Sequence, residues 1–266
     1  MIRALVLALS LAAPAGAAEI GPEALDALRA DIVVLGEVHD NPAHHLNQAR
    51  AVAALRPAAL VFEMLTPDQA ARATDTARAD ADTLGAALGW AEAGWPDFAM
   101  YWPIFGAAPE AEIRGAAVPR GEARRVFEAP LAEVFGAGAA RYGLDRPLPE
   151  AQQATREAEQ MAAHCDALPG DMLPGMVAAQ RLRDAVLADA ALAALRDTGG
   201  PVAVITGSGH ARTDYGVPAK LALAAPDVTV LSLGQLERPA GADQPFDLWI
   251  VTDAAPREDP CAAFRG

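Results

Sequence analysis

The chain has 266 residues, and 52% of them are hydrophobic, which is enough for one sizeable α/β domain with a buried core. The formal net charge is −14, from 35 acidic and 21 basic residues, and no basic patch is visible. A nucleic-acid-binding protein would normally carry such a patch, so nucleic acid is not expected as a partner.

The N-terminus, MIRALVLALSLAAPAGAAE, has the pattern of a secretory signal peptide. Arg3 provides a short positive segment, and residues 4–13 form an apolar run that is too short to span a bilayer. A buried first helix, the alternative, is disfavoured by the small residues and prolines that follow. We therefore predict a signal peptide over 1–18, cleaved at or just after Ala17, and a mature chain over 19–266 that is exported, soluble and not inserted in a membrane.

Short apolar runs rich in Val, Ile and Leu predict the strands. The runs are mostly continuous rather than alternating, which is typical of a parallel sheet covered on both faces. The predicted strands are 31–35, 59–62, 113–118, 202–206, 228–232 and 248–252.

The predicted helices lie between these strands. The segment 42–55 begins with a capping residue and a proline, 178–195 has a strong helical period, and 218–225 again begins with proline. Two helix-rich stretches, 66–98 and 130–195, interrupt the alternation and are predicted to be helical insertions within a single domain. The predicted fold class is α/β, with a mostly parallel central sheet flanked by helices and an additional helical lobe.

The pattern Gly-x-x-His occurs twice, each time where a predicted strand ends. GEVH, ending at His39, follows the first strand, and GSGH, ending at His210, follows a later one. Because ligands of open parallel sheets bind at the carboxyl ends of the strands, both motifs are expected to line one crevice. Glycine at these positions permits a tight turn and a close approach of the backbone.

Further polar residues accompany the motifs at predicted strand ends. Glu63 ends the second strand, although a helix cap or a salt-bridge partner is an alternative role for it. Imidazole and carboxylate groups suit a divalent transition metal, so His39, Glu63 and His210 are candidate metal ligands. Arg120 follows the third strand, and Arg212 could clamp an anionic group.

The remaining histidines receive different predictions. His44 lies in the first turn of the 42–55 helix, where the positive helix end favours the neutral imidazole, and we expect it to serve the crevice. His45 is expected to be its solvated outward neighbour. The chain has two cysteines, Cys165 and Cys261, and in an exported protein this even number favours a disulfide that ties the C-terminal tail to a helical region. Two unrelated buried thiols are the alternative.

The sequence resembles the ChaN-type haem-binding uptake family of the Tiki/TraB-like superfamily, which has paired GxxH motifs. The resemblance runs from about Asp31 to Cys261, and it is carried by GEVHDNPAHH, VFEM, YWPIF, VPR, AQRLRDAVLA, GSGHARTDYGVP and an HC…DPC pair. It implies a parallel α/β sheet with a helical lobe, a role in iron acquisition, and haem held between two protomers with tyrosine as axial ligand. Relatives in the superfamily are metal-dependent hydrolases that use the GxxH histidines and a glutamate. Two departures are Ala117, where the family pattern implies asparagine, and a missing lipobox cysteine, which favours free diffusion in the periplasm.

Two functions follow as hypotheses. The favoured one is a periplasmic haem-binding protein of haem and iron uptake, which becomes a homodimer when it binds haem. The candidate haem-binding residues are His44, Tyr101, Arg120, Arg212 and Tyr215. The alternative is a hydrolase with Zn, Mn or Fe on His39, Glu63 and His210 and with Glu37 as general base. Metal content and haem absorbance of the purified protein would distinguish the two.

Overall fold

The computed structural model describes residues 17–259 and 261–262. Most of the predicted signal peptide, 1–16, lies outside the described residues. The described chain contains a seven-stranded sheet in the order β1-β7-β6-β2-β5-β3-β4, and every neighbouring pair is parallel. The strands are β1 Ala18–Glu19, β2 Ile32–Glu37, β3 Ala59–Phe62, β4 Glu112–Gly115, β5 Val202–Gly207, β6 Val230–Leu236 and β7 Leu248–Val251.

Helices connect the strands, as the α/β prediction requires, and the predicted fold class is confirmed. The α-helices are α1 Pro42–Leu55, α2 Pro67–Ala70, α3 Ala81–Leu88, α4 Trp90–Ala93, α5 Phe98–Ala107, α6 Arg120–Arg124, α7 Leu131–Phe135, α8 Glu150–Ala163, α9 Leu173–Thr198 and α10 Val217–Ala224. Short 3-10 helices lie at Pro22–Ala27, Ala77–Ala79, Arg125–Phe127, Ala139–Tyr142 and Gly170–Met172.

The sheet is buried between two layers of helices. Successive side chains of a strand point to opposite faces, and β2 shows this directly. Val33 and Leu35 belong to the apolar cluster that contains residues of α1 and α5, whereas Ile32 and Val34 belong to the cluster that contains residues of α9 and α10. The continuous apolar runs of the sequence therefore reflect strands that are covered on both sides.

The end of β4 is a correction to the sequence prediction, which extended this strand to residue 118. The strand ends at Gly115, where a Cβ atom would lie 2.2 Å from the carbonyl oxygen of Thr66. The chain then leaves the sheet, and the amides of Ala116 and Ala117 bond to the carbonyl oxygens of Phe62 and Leu65. This bend brings the segment before Arg120 to the carboxyl edge of the sheet.

Two further features fix the periphery. A disulfide joins Cys165, just after α8, to Cys261 in the C-terminal tail, as predicted. Lys220, the only lysine in the sequence, is 6% exposed, and its Nζ donates a hydrogen bond to the carbonyl oxygen of Tyr142 at 3.2 Å. Within 17–259 and 261–262, no helix has both the length and the apolar character that crossing a bilayer needs.

Candidate functional site: a crevice at the carboxyl edge of the sheet

A crevice of about 1380 Å³ opens at the carboxyl ends of β2, β5 and β3. Clefts that hold small molecules and cofactors commonly measure about 300–1,000 Å³, so this one is large enough for a sizeable cofactor. His39, Glu63 and His210 all line it, as do Arg120, Arg212 and Tyr215. The structure therefore brings together most of the polar residues that follow the predicted strands.

The two Gly-x-x-His motifs meet because their strands are neighbours. β2 pairs with β5 in parallel register, with Gly36 opposite Thr206 and Glu37 opposite Gly207. Each histidine then follows in the turn that leaves its strand. A Cβ atom on Gly207 would lie 3.0 Å from Nε2 of His39, so glycine at this position gives the imidazole room against the backbone.

Glu63 lies between the two histidines. Its Oε2 accepts hydrogen bonds from the Thr206 hydroxyl at 2.7 Å and from the Gly207 amide at 2.8 Å, and its Oε1 lies 3.5 Å from Nε2 of His210. Burial alone would raise the pKa of Glu63, but the positive charges of His210 and His39 and these hydrogen bonds lower it. The group is therefore a structural carboxylate that is ionised at neutral pH.

His39 is held from behind by a buried carboxylate. Its Nδ1 donates to Oε1 of Glu37 at 2.7 Å, and the same oxygen accepts from the Tyr101 hydroxyl at 2.7 Å. Burial opposes ionisation of Glu37, but the hydrogen bond from His39 and the nearby imidazole of His45 outweigh it and lower the pKa of Glu37 to about 2. His39 itself keeps 34% of its side chain exposed, so its other ring nitrogen, Nε2, is the one available to a ligand.

His210 is held by Asp184 of α9, a residue that the sequence prediction missed. Nδ1 of His210 donates to Oδ1 of Asp184 at 2.6 Å. Burial would lower the pKa of His210, but Glu63 and Asp184 raise it to about 9, so the imidazole is protonated at neutral pH. The available signal in the sequence was an acidic residue on the apolar face of a strongly periodic helix.

His44 was expected to face the crevice and His45 to face solvent, and both expectations are wrong. His44 does not line the crevice: its Nδ1 accepts from the Val38 amide at 2.8 Å and its Nε2 bonds to Oγ1 of Thr252 at 2.8 Å. His45 is fully buried rather than solvated, and its Nδ1 lies 3.4 Å from Oε2 of Glu37. Adjacent residues of a helix point about 100° apart, so only one of the two faces Glu37.

The predicted metal site is not supported by the geometry. Among the described residues, no group of three or more histidine, cysteine, aspartate or glutamate side chains is arranged to hold a metal ion. Glu37, the candidate general base, has no exposed side-chain surface and a pKa of about 2, far from the value near the working pH that general-base catalysis favours.

The tyrosines differ in their access to the crevice. Tyr101 is fully buried and supports Glu37, and Tyr142 is also buried and donates to Asp189. Tyr215 does line the crevice, but its hydroxyl donates a short hydrogen bond to Glu159. Burial and this bond raise its pKa.

The predicted arginines also differ. Arg120 is exposed at the start of α6, on the rim of the crevice. Arg212 makes a bidentate pair with Asp214 at 2.7 and 3.0 Å, and its guanidinium stacks on the Tyr215 ring at 4.2 Å. The positive charge of Arg212 is therefore already largely neutralised within the protein.

The fold and the site define a class: an all-parallel α/β protein whose crevice holds one histidine from each of two adjacent Gly-x-x-His turns. Residues 24–221 match the family described as "Haem-binding uptake, Tiki superfamily, ChaN", and the chain belongs to this family. The resemblance inferred from the sequence motifs is thus confirmed.

A solved structure shares the fold. ChaN of Campylobacter jejuni, which binds haem cofacially, superposes with a TM-score of 0.64 at 19% identity, over 84% of this chain and 88% of that one. The type III effector HopBA1 aligns over 88% of this chain and 92% of its own at 14% identity, with a TM-score of 0.42. No protein of curated function matches the chain.

Proposed function

We propose that this protein binds haem in the crevice and serves haem or iron uptake in the periplasm. Haem bound there would present two apolar faces, two carboxylates and an iron atom that needs an axial donor. The observation that carries the proposal is the Glu37–His39 pair. A metal-binding histidine commonly donates its second ring nitrogen to a carboxylate, which fixes the ring and raises its basicity, and His39 has this arrangement.

His39 is the proposed axial donor. Among the five histidines in the sequence, it combines an Nδ1 fixed by a carboxylate with a side chain that is one-third exposed in the crevice. Tyr101, a candidate from the sequence, instead supports this residue from beneath through Glu37. Tyr215 remains the tyrosine in the crevice, and it would have to give up its bond to Glu159 before its oxygen could bind iron.

The walls of the crevice suit a planar apolar ligand. Trp95 lies against His39, with ring centroids 4.9 Å apart, and its indole nitrogen donates to the carbonyl oxygen of Met64. Val118 and Met176 add apolar surface to the same crevice. Burying such surface against a ligand gains roughly 25 cal/mol per Å², which supports capture by a protein whose net charge is −14.

The wide opening of the crevice supports a dimer as the haem-bound form. One protomer would leave one face of a haem in water, and a second protomer, with its own haem stacked on the first, would cover that face. The cofacial haem binding of the Campylobacter jejuni protein supports this arrangement. The N-terminal signal pattern and the disulfide support a periplasmic location, where oxidised cysteines persist.

The test is a titration of ferric haem into the apo-protein, followed by absorbance and by analytical sedimentation. We expect saturable binding, a change of sedimentation from monomer to dimer, and a changed spectrum with weaker binding in His39→Ala. Added imidazole should restore the wild-type spectrum to His39→Ala, which a variant that is merely misfolded would not show. Tyr215→Phe is the matched comparison.

Absence of saturable haem binding by the wild-type protein would reject the proposed function. If His39→Ala keeps the wild-type spectrum and Tyr215→Phe changes it, then Tyr215 and not His39 is the iron ligand. This result would reject the assignment of His39 but not the proposed function.

A further inference from the structure

Arg156 is a deeply buried cation in the wall of the crevice, and the sequence motifs did not point to it. It lies on α8 and is 3% exposed. Its Nη2 lies 3.7 Å from Oδ2 of Asp184, and its guanidinium lies over the Tyr215 ring, 4.3 Å from the centroid. Its Nη1 is buried and has no hydrogen-bond partner within the described part of the chain.

An unpaired donor on a buried guanidinium is unusual, because buried charges are normally paired and fully hydrogen-bonded. The nearby anions do not provide a partner for this nitrogen. Oδ1 of Asp184 is occupied by His210, and Glu159 accepts from Tyr215 while lying 3.6 Å from Arg212. One donor of Arg156, Nη1, therefore forms no hydrogen bond within the described part of the chain.

A second unpartnered group lies beside it. Oε1 of Gln160 is also buried without a hydrogen-bond partner, and Gln160 lines the same crevice. Residues four apart on a helix share one face, so Arg156 and Gln160 lie on the same side of α8. The Tyr215 ring contacts the guanidinium groups of both Arg156 and Arg212, with centroid distances of 4.3 and 4.2 Å.

We propose that Arg156 binds a carboxylate of the ligand in the crevice, namely a propionate of haem. This inference rests on the proposed function. A carboxylate oxygen matches the planar, charged donor of a guanidinium and would satisfy the unpaired Nη1. Glu63, His210 and Asp184 lie between His39 and Arg156, so the iron and carboxylate ends of the ligand would contact different parts of the crevice.

The test compares ferric haem with its dimethyl ester, in which both propionates are esterified, on wild-type protein and on Arg156→Gln. Wild-type protein should bind the diester about 10- to 100-fold more weakly than haem, the range expected for one charge-assisted hydrogen bond. Arg156→Gln should bind haem with the same loss and should no longer distinguish the two ligands. Arg156→Lys should recover part of the preference.

Arg124→Gln is the matched control, because it removes the same charge from an exposed position of α6 that does not line the crevice. Comparison of two ligands on one folded protein keeps the inference testable even if Arg156→Gln is unstable. Equal binding of haem and diester by wild-type protein would overturn the role of Arg156 and leave the proposed function intact. Preference for haem that persists fully in Arg156→Gln would also overturn it. Failure of the wild type to bind either ligand would reject the proposed function itself, and this inference with it.

Discussion

His44→Asn tests how burial of a neutral histidine couples the fold to pH. His44 is fully buried; its Nδ1 accepts from the Val38 amide, which fixes the neutral tautomer, and its Nε2 bonds to Thr252. Burial lowers the pKa of His44 from 6.5 to about 4. Asparagine places its oxygen near the position of Nδ1, so the variant keeps an acceptor for Val38 but loses the titrating group.

The sign of the effect follows from proton uptake. Between pH 6.5 and pH 4 the unfolded chain binds a proton at His44 and the folded protein does not, so acid favours unfolding in this window. One unit of pKa corresponds to about 1.36 kcal/mol, and the difference between 6.5 and about 4 therefore corresponds to about 3 kcal/mol. Near pH 7.5 we expect the variant to be less stable than wild type by about 1 kcal/mol, because it loses the bond to Thr252.

The assay is urea unfolding of the apo-protein by circular dichroism at several pH values from 4 to 7.5. The stability advantage of wild type over His44→Asn should shrink as the pH falls and then reverse, with a total change of up to about 3 kcal/mol. His164→Asn, which removes a partly exposed histidine near the end of α8, is the matched control. A constant difference between wild type and His44→Asn across this range would refute the reasoning.

Three further predictions concern the site and its frame. Asp184→Asn should lower the pKa of His210 from about 9 towards 6.5, as measured by an NMR titration of the imidazole, whereas Asp189→Asn on the same helix should not; an unchanged value would contradict the pairing. Gly36→Ala should destabilise the fold by about 1–3 kcal/mol, because its Cβ would lie 2.9 Å from the carbonyl oxygen of Leu233, and Gly209→Ala, where the space is open, should be nearly neutral in the same urea assay. Removal of the disulfide by a double Cys165→Ser and Cys261→Ser substitution should lower the free energy of unfolding by about 2–5 kcal/mol, and a midpoint equal to that of the oxidised wild type would show that the bond does not stabilise the fold.

The first helix shows what the sequence determines locally. α1 was predicted at its observed bounds, because Asn41 caps it by accepting from the Ala43 amide and Pro42 occupies its first turn. Helix α9 extends beyond its predicted bounds to Leu173 and Thr198, since the prediction followed the apolar period and not the ends. Element boundaries that are set by cap residues can thus be predicted from the sequence. Boundaries that are set by contacts with other segments, such as the end of β4, cannot.

Some residues of the site could likewise be predicted from the sequence, and others could not. His39 and His210 could be placed together because parallel strands end at a common edge, and this argument needs only the sequence order of strands and motifs. Asp184 and Arg156 could not, because their roles depend on how α9 and α8 are rotated against the sheet. The exchange of His44 and His45 has the same cause: the side of α1 that faces Glu37 is set by its packing in the folded protein.

Because the sequence has a single lysine, acylation of Lys220 can be used to measure local opening of the fold around α10. A primary amine reacts with acylating reagents only when it is uncharged and accessible, and burial lowers the pKa of Lys220 to about 8, so a fraction of this amine is already uncharged at neutral pH. Its reaction is then limited by access, because Lys220 of α10 is buried and its amine is bonded to the carbonyl oxygen of Tyr142. The acylation rate of Lys220, read by mass spectrometry without any substitution, should measure how often α10 separates from the residues around Tyr142. If ligand binding in the crevice tightens this face of the sheet, the same amine should become slower to label.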